Sequence, residues 1–565
     1  MSLFASLNLA RLSLGAHQAA IQTVGQNIAN ANTEGYARQR VLFTPTPSDD
    51  LVFARVGTGV QIARIERIVD EHLETTVREA TTDLGLYQER DRIYSMVEAV
   101  FGDLDGGGLS AALGRFFDSL EDWANSPFDP TARGLVIEEG RTLTETVNFM
   151  DRGIRDLRQA LDEDFVGVVQ DINRLSVQIA DLNRSIMLAE DGGASPDTAN
   201  DLRTLRAAAL GELSGLIDIR VVESRGGAVQ VVTGSDVLVQ DSRARTLELR
   251  SISDGDILRH EARFTDDGKR LTPRSGRLAG IVEGRDATVA DLRGQLDQIA
   301  QAFLVDFNVI HASGEGLERY GSLLATHATR DRNAPLVSGA LPFAVGTGSF
   351  QFQVYNEGND TRETYAIAIT ADTTLLDLAA QIDAIGADHP EISAQVTLDG
   401  HLQIESAADS IRFTFREDTT GFLAAAGLGT FFTGTNARDL GVSTVLDQNR
   451  ALLASGRTGD AGDNSVVLEL LALRDQGVVG PHDETIEGFY QSLIGRIGVE
   501  GAEARDLARN QDAITANVRN QREALSGVNV DEEAIQLIQL QRAYQGSARF
   551  LSVVDSLLDT LINSV

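Results

Sequence analysis

The chain has 565 residues, with 83 Asp and Glu against 49 Lys and Arg, for a formal net charge of -34, and it contains no cysteine. That balance argues against binding nucleic acid or anionic membrane surfaces, which need a basic face. The missing thiols exclude disulfides, thiolate metal sites and thiol nucleophiles.

Leu3, Leu7, Ala10, Leu14, His17, Ile21, Val24 and Ile28 step by fours and threes, which predicts a first helix with one narrow apolar seam. Asn8, Arg11, Ser13 and His17 interrupt any leader-like apolar run, so no secretory signal is expected here, and if the protein leaves the cytoplasm it does so without a cleaved leader. Residues 30–36 read as a turn, and Pro45 and Pro47 as extended chain or loop. From about 60 to 101 the spacing is helical, ending in a glycine-rich turn at 102–108. Ser110 is placed to cap a short helix carrying Leu113, Phe116, Phe117, Leu120 and Trp123. Asp129 caps and Pro130 opens the longest helix, whose seam runs from Leu143 to Ala189 and stops at Gly192-Gly193. Another helix is expected from Asp197 to about Leu216.

From 217 to about 278 the spacing is strand-like, with hairpin turns at Gly226-Gly227 and at Gly234. Helix is predicted over 286–311. A second strand-and-turn stretch follows over 321–435, where Phe350, Phe352 and Val354 alternate. Helix returns near 465–474 and over 485–525, with a seam of Leu493, Ile497, Ala504, Leu507, Ile514, Val518 and Leu525. Residues 526–529 break it, and Asn529 with Glu532 has capping-box spacing for the last helix. Its seam is Leu537, Leu540, Tyr544, Ser547, Leu551, Val554, Leu558, Leu561 and Val565. Both ends are nearly uncharged in a strongly acidic chain, which suits two helices that pair and are then covered by further copies.

The expected fold is α+β and multidomain, with its ends joined. Residues 1–40 plus 528–565 would form a terminal α-helical coiled coil. Residues 41–216, 286–319 and 441–527 would form a long helical bundle, with inserted, mainly β outer domains at 217–285 and 320–440. Enzyme chemistry finds no foothold. The single lysine, Lys269, lacks a phosphate-binding loop around it, and the Asp103/Asp105 turn has Gly114 where a calcium loop needs glutamate. His17 reads as a packed or pore-facing imidazole rather than a ligand, and Asp162, Glu163 and Asp164 as a solvated helix face rather than an acid–base pair. No cofactor and no metal is expected.

Asn27, Asn30, Asn32, Gly35 and Tyr36 lie in a stretch that resembles the N-terminal signature of the bacterial flagellar rod, hook and hook-associated axial proteins. The continuation Tyr36-Ala-Arg38-Gln39, the stretch 280–286, the stretches 296–300 and 308–314, and Asn529, Glu532, Glu533, Gln541 and Tyr544 are similar to the hook-associated protein 1 family. The resemblance covers roughly 1–315 and 440–565. It implies a non-catalytic structural protein, exported by the flagellar type III system to the outside of the cell. There it would form a ring of its own copies at the hook–filament junction. Implied neighbours are the hook protein and the second junction protein, hook-associated protein 3, with an export chaperone on the C-terminal helix. Leu3, Leu7, Leu14, Ile21, Val24, Ile28, Leu537, Leu540, Tyr544, Leu551, Val554, Leu558 and Leu561 would form the assembly interface. Competing readings are another axial protein, of hook or distal rod, a wall-hydrolysing enzyme, and an adhesive surface protein built on the outer β domains.

Overall fold

A computed structural model describes residues 3–33, 35–47, 49–51, 54–102, 108–190, 198–254 and 257–563. In chain order the elements begin with α1 (Leu3–Ala29), β1 (Gln39–Pro45), β2 (Asp49–Leu51), β3 (Ala54–Val56) and β4 (Val60–Arg67). Helices α2 (Glu71–Phe101), α3 (Leu109–Asn125), α4 (Pro130–Ala189) and α5 (Asn200–Leu216) follow. Next come β5 (Arg220–Glu223), β6 (Val229–Thr233), β7 (Asp236–Gln240), β8 (Arg243–Ala244), β9 (Leu247–Asp254) and β10 (Ile257–Phe264). Helices α6 (Arg277–Glu283), α7 (Val289–Gln301) and α8 (Asn308–Ala312) are linked by π-helical turns at Gly284–Thr288 and Ala302–Phe307.

Then come β11 (Ser322–Leu324), β12 (Gly348–Asn356), β13 (Thr361–Ile369), α9 (Leu375–Asp383), β14 (Ile392–Val396), β15 (Leu402–Ser406) and β16 (Ile411–Arg416). The chain ends through α10 (Phe422–Ala426), β17 (Phe432–Thr433), β18 (Gly441–Val442), α11 (Thr444–Gln448), α12 (Ser465–Ala472), α13 (Ile486–Ser526) and α14 (Val530–Asn563). The fold is α+β and divides into two compact units.

The first unit holds residues 1–93, 159–285 and 502–565. Its sheets are antiparallel: the ribbon β1–β4, the four-stranded β5-β6-β7-β8 and the ribbon β9–β10. Two asparagines of α4 finish strand hydrogen bonding in place of a neighbouring strand. Asn183 donates to Val229 O (2.8 Å) and accepts from Val229 N (3.1 Å). Asn173 does the same at Leu247, at 2.8 and 2.7 Å. The stretch 60–67, read as helical, is instead strand β4. Its β-branched Val60, Ile62 and Ile65 pair along β1, with a bulge at Leu42/Phe43 that breaks the two-residue period.

Helix also starts earlier than expected, with α6 at Arg277, because two glycines let it lie on α2. A Cβ on Gly280 would stand 2.9 Å from Glu89 Cβ, and one on Gly284 would overlap Ile93 Cδ1. Glycines four apart expose one helical groove for close crossing.

The second unit holds residues 94–158 and 286–501. Phe116, Phe303, Phe307, Phe431 and Phe432 meet there, with ring centroids 4.7–6.5 Å apart. Asn308 locks this cluster by accepting from Phe431 N (3.0 Å) and Phe432 N (2.9 Å) and donating to Phe432 O (2.8 Å). Two three-stranded antiparallel sheets, β13-β12-β16 and β11-β15-β14, enclose a second core that contains the alternating Phe350, Phe352 and Val354. That segment also contains α9, a helix absent from the strand-and-turn reading. Thr374 and Asp377 form its reciprocal capping box, with bonds of 3.1 and 3.0 Å.

Asp129 Oδ1 accepts from Thr131 N (2.8 Å) where α4 opens at Pro130. Ser110 does not cap α3, whose N-cap is Gly108; it bonds Glu487 at 2.8 Å. The expected stop at Gly192-Gly193, the helix start at Asp197, the Asp103/Asp105 turn and the last seam position, Val565, lie outside the described residues.

Candidate assembly interface

Helices α1 and α14 pack side by side. Ser13 Oγ stands 2.8 Å from Ser547 Oγ, and Asn27 Nδ2 stands 2.9 Å from Glu533, so position rises along one helix as it falls along the other. The pair is antiparallel. Its innermost line on α1 is Ala10, Ala16, Ala20, Thr23, Val24 and Asn27, mostly small side chains that permit close approach. Leu3, Leu7, Leu14, Ile21 and Ile28 flank that line, half-buried, and His17 packs edge-on against Phe43.

On α14, Val554 is buried, while Leu537, Leu540, Leu551 and Leu558 are half-buried and Tyr544 and Leu561 are exposed. Beside that seam runs a second apolar stripe: Ile535, Ile538, Phe550, Val553 and Leu557, each 42–58% exposed. The end of α13 follows the same rule. Ala504, Ala508 and Thr515 turn inward, with Thr515 donating to Ala80 O (3.1 Å), whereas Ile514 and Leu525, expected in the seam, are exposed.

The start of α14 is fastened by a buried polar node. Asn27 Oδ1 accepts from Tyr36 OH and Gln39 N, both at 3.0 Å, and Asn27 Nδ2 donates to Gln39 O (2.8 Å) and to Glu533. Glu533, 0% exposed, also accepts from Arg38 Nε at 2.6 Å. Burial, then the charges of Asp201 and Glu533, push the Tyr36 phenol up to about 12, so its hydroxyl stays a donor at neutral pH.

Three separated signature residues therefore share one site, and Arg38 and Gln39 belong to it as well. Asn529 caps α14 through Asp531 N (3.1 Å), while Glu532 reaches Arg38 (3.4 Å). Asn30 bonds Gln26 O within its own turn, and Gly35, at φ +80°, takes the left-handed turn that glycine favours. Asn30, Asn32 and Gly35 line a polar cleft of about 930 Å³ with Arg519, Arg522 and Glu523. Gln541 is exposed and stands outside the node.

Gly546 faces a groove of about 430 Å³ beside Leu9, Gly59 and Phe550, and a Cβ there meets nothing within 4 Å. Its absence of side chain is not what brings α1 and α14 together. Gly546→Ala is expected to stabilise the isolated protein by about 1 kcal/mol, the usual helical difference between these residues. An unchanged or lowered urea midpoint would show that α14 is not helical there in solution.

The acidic run on α4 is more than a solvated face. Glu163 is exposed, but Asp162 accepts from Arg285 Nη1 (2.5 Å) and His260 N (2.8 Å) and stands 2.6 Å from His260 Nδ1. Hydrogen bonds from His260 and the charge of Arg285 outweigh burial and hold this carboxyl below its ordinary range. Asp164 pairs with Arg92 at 2.5 Å. These carboxylates tie α4 to strand β10 and to the turn that follows α6. Among the described residues no cluster of three His, Asp or Glu side chains suits a metal ion, and no helix is long and apolar enough to cross a membrane.

A family model described as the flagellar hook-associated protein FlgK helical domain matches residues 94–324. One described as the flagellar basal body rod FlgEFG protein C-terminal matches residues 521–564. Flagellar hook-associated protein 1 of Bacillus subtilis (strain 168) is 25% identical over 575 aligned positions, covering 100% of this chain and 99% of that one. The protein of the same description from Escherichia coli (strain K12) is 28% identical over 583, covering 99% of each. A solved structure of the flagellar hook junction protein FlgK from Burkholderia pseudomallei aligns with TM-score 0.49 and 15% identity, covering 80% of this chain and 100% of that chain. With both ends of the relatives spanned and the signature residues gathered at one node, the chain is similar along its whole length to flagellar hook-associated protein 1.

Proposed function

We propose that this protein is a non-enzymatic building block of the hook–filament junction, one subunit of a ring held together through its terminal helices. The observation that carries the reading is the exposed stripe of Ile535, Ile538, Phe550, Val553 and Leu557. Large apolar side chains left exposed along one helix face mark a surface for partners. The half-buried Leu3, Leu7, Leu14, Ile21, Ile28, Leu537, Leu540, Leu551 and Leu558 and the exposed Tyr544 and Leu561 would extend that surface, while Val24 and Val554 are buried beneath it within the chain. The hook protein and the second junction protein would be its axial neighbours, with an export chaperone shielding α14 beforehand. Export through the flagellar type III system to the cell exterior belongs to the same reading.

In this scheme 1–40 plus 528–565 form the assembly domain, and 41–216, 286–319 and 441–527 the helical rod. The segments 217–285 and 320–440 are outer domains, a division supported by strands β5–β10 and by β11–β17. Asp placed at Val553 or Leu557 leaves the monomer folded, because both side chains face solvent. In the ring it buries an unpaired carboxylate in every subunit, at several kcal/mol each. Cells carrying either variant are expected to shed filament subunits into the medium, while Ser552→Asp cells retain filaments. Normal filament retention by the Val553→Asp and Leu557→Asp strains sinks the proposal.

A further inference from the structure

Outside the terminal helices, the first unit contains a pocket of about 220 Å³ walled by three glutamates, Glu71, Glu74 and Glu223, and by four arginines: Arg67, Arg78, Arg203 and Arg206. Two of them are accounted for. Arg203 pairs with Glu190 (2.8 Å) and Glu223 (2.6 Å), and Arg206 donates to Gly227 O (2.6 Å) and Asn183 Oδ1 (2.9 Å). The other two have no ion pair among the described residues. Arg78 donates only to Thr75 Oγ1, at 3.0 Å, and Glu74 is already paired with Arg522 at 2.7 Å.

The side chain of Arg67, at the last position of β4, makes no hydrogen bond among the described residues, and its Nε is buried without a partner. A guanidinium that has lost water and gained no acceptor is costly to fold. Burial accordingly holds Arg67 and Arg78 below the ordinary arginine range and Arg206 down to about 10. Among the residues that wall the pocket, four guanidiniums face three carboxylates, an excess of one cation.

We infer that the Arg67–Arg78 pocket is a binding site for a small oxyanion, phosphate-sized and held by guanidinium donors. Planar guanidinium groups match the spacing of phosphate and carboxylate oxygens, and the volume admits one such group. A free anion and a carboxylate donated by a second copy share this chemistry.

The test uses the full-length chain in chloride buffer, with inorganic phosphate titrated at constant ionic strength. Thermal midpoint and 31P line width are the readouts. Wild type is expected to show a saturable rise in midpoint and a broadened phosphate resonance. Arg67→Gln should fold at least as stably as wild type without phosphate, since it removes an unpartnered buried charge, yet lose the saturable response. Arg115→Gln, at a surface pair with Glu139 in the other unit, should keep it. A response in Arg67→Gln equal to wild type, or none in wild type, overturns the site. So does strong destabilisation of Arg67→Gln in chloride, which would give Arg67 a structural partner. Sedimentation separates the two sources of oxyanion: phosphate leaves the sedimentation coefficient unchanged if the anion is free, and lowers it if a second copy's carboxylate is displaced. Either result supports the site.

Discussion

Glu533→Ala is expected to release α1 from the start of α14 and to cost about 3–5 kcal/mol, the range for breaking a buried charged pair by removing one member. The loss is large because Glu533 serves two donors. Without it Arg38 Nε and one of the two hydrogens of Asn27 Nδ2 lose their acceptor, and an unmet buried donor costs its desolvation. Asn27 in turn holds Tyr36 and both backbone groups of Gln39, so the turn and the first residues of β1 loosen with it. Hydrogen exchange should become fast over residues 20–29 and 39–45 while the phenylalanine core of the second unit keeps its protection. Glu533→Gln keeps an acceptor without the charge and should lie between. If Glu533→Ala exchanges like the parent over both segments, the node does not join the helices in solution.

The second large effect is acid lability of the second unit. His311 is 1% exposed; its Nδ1 lies 2.9 Å from Gly429 O, and its Nε2 accepts from Ala454 N at 3.2 Å. One ring nitrogen facing a carbonyl and the other facing an amide N–H require the neutral, Nδ1-protonated tautomer. Burial, reinforced by the charge of Arg133, pulls its pKa down to about 4 from the usual 6.5. Below pH 6.5 the unfolded chain takes up a proton that the folded chain excludes. Stability is therefore full above pH 6.5 and falls as pH drops. At about 1.4 kcal/mol per pH unit, roughly 3 kcal/mol is lost by pH 4. His311→Gln offers the same donor and acceptor without titrating, so its urea midpoint should fall less steeply over that window. Parallel slopes for the two proteins would place the acid-sensitive group elsewhere.

What could be read from the sequence was local. Asp129 before Pro130 marks the start of α4, and residues 526–529 mark the break between α13 and α14, because caps and breakers act within one turn of backbone. The alternating Phe350, Phe352 and Val354 likewise name a core strand through its two-residue period. Ala10 and Ala504 stood in the seams and are buried, but most of the alanine-lined interior face escaped the same method. A seam read by side-chain size puts Leu14 and Ile21 innermost, but close helix contact selects Ala16, Ala20 and Thr23 and leaves the large residues on the flanks. Long-range pairing escaped as well. Asp162 meets His260 and Arg285 only after the chain has folded back about a hundred residues, and nothing in its acidic neighbours signals that. The small helix α9 was within reach, since Thr374 and Asp377 stand at capping-box spacing before an apolar run. The signature residues were recognised as a pattern, yet only the fold shows that Asn27, Tyr36 and Glu533 form one hydrogen-bonded node.

The antiparallel course of α1 and α14 decides where a label can go. Residues 3 and 563 emerge at the same end of the pair, next to Val553 and Leu557. A fluorescent or affinity fusion on either end would crowd the exposed stripe through which the proposed ring assembles, and tagging both ends would do so twice. The tight turn between β12 and β13, where residues 357–360 are all exposed, carries none of the apolar stripe. A short epitope inserted there reports on the protein without competing for its terminal helices.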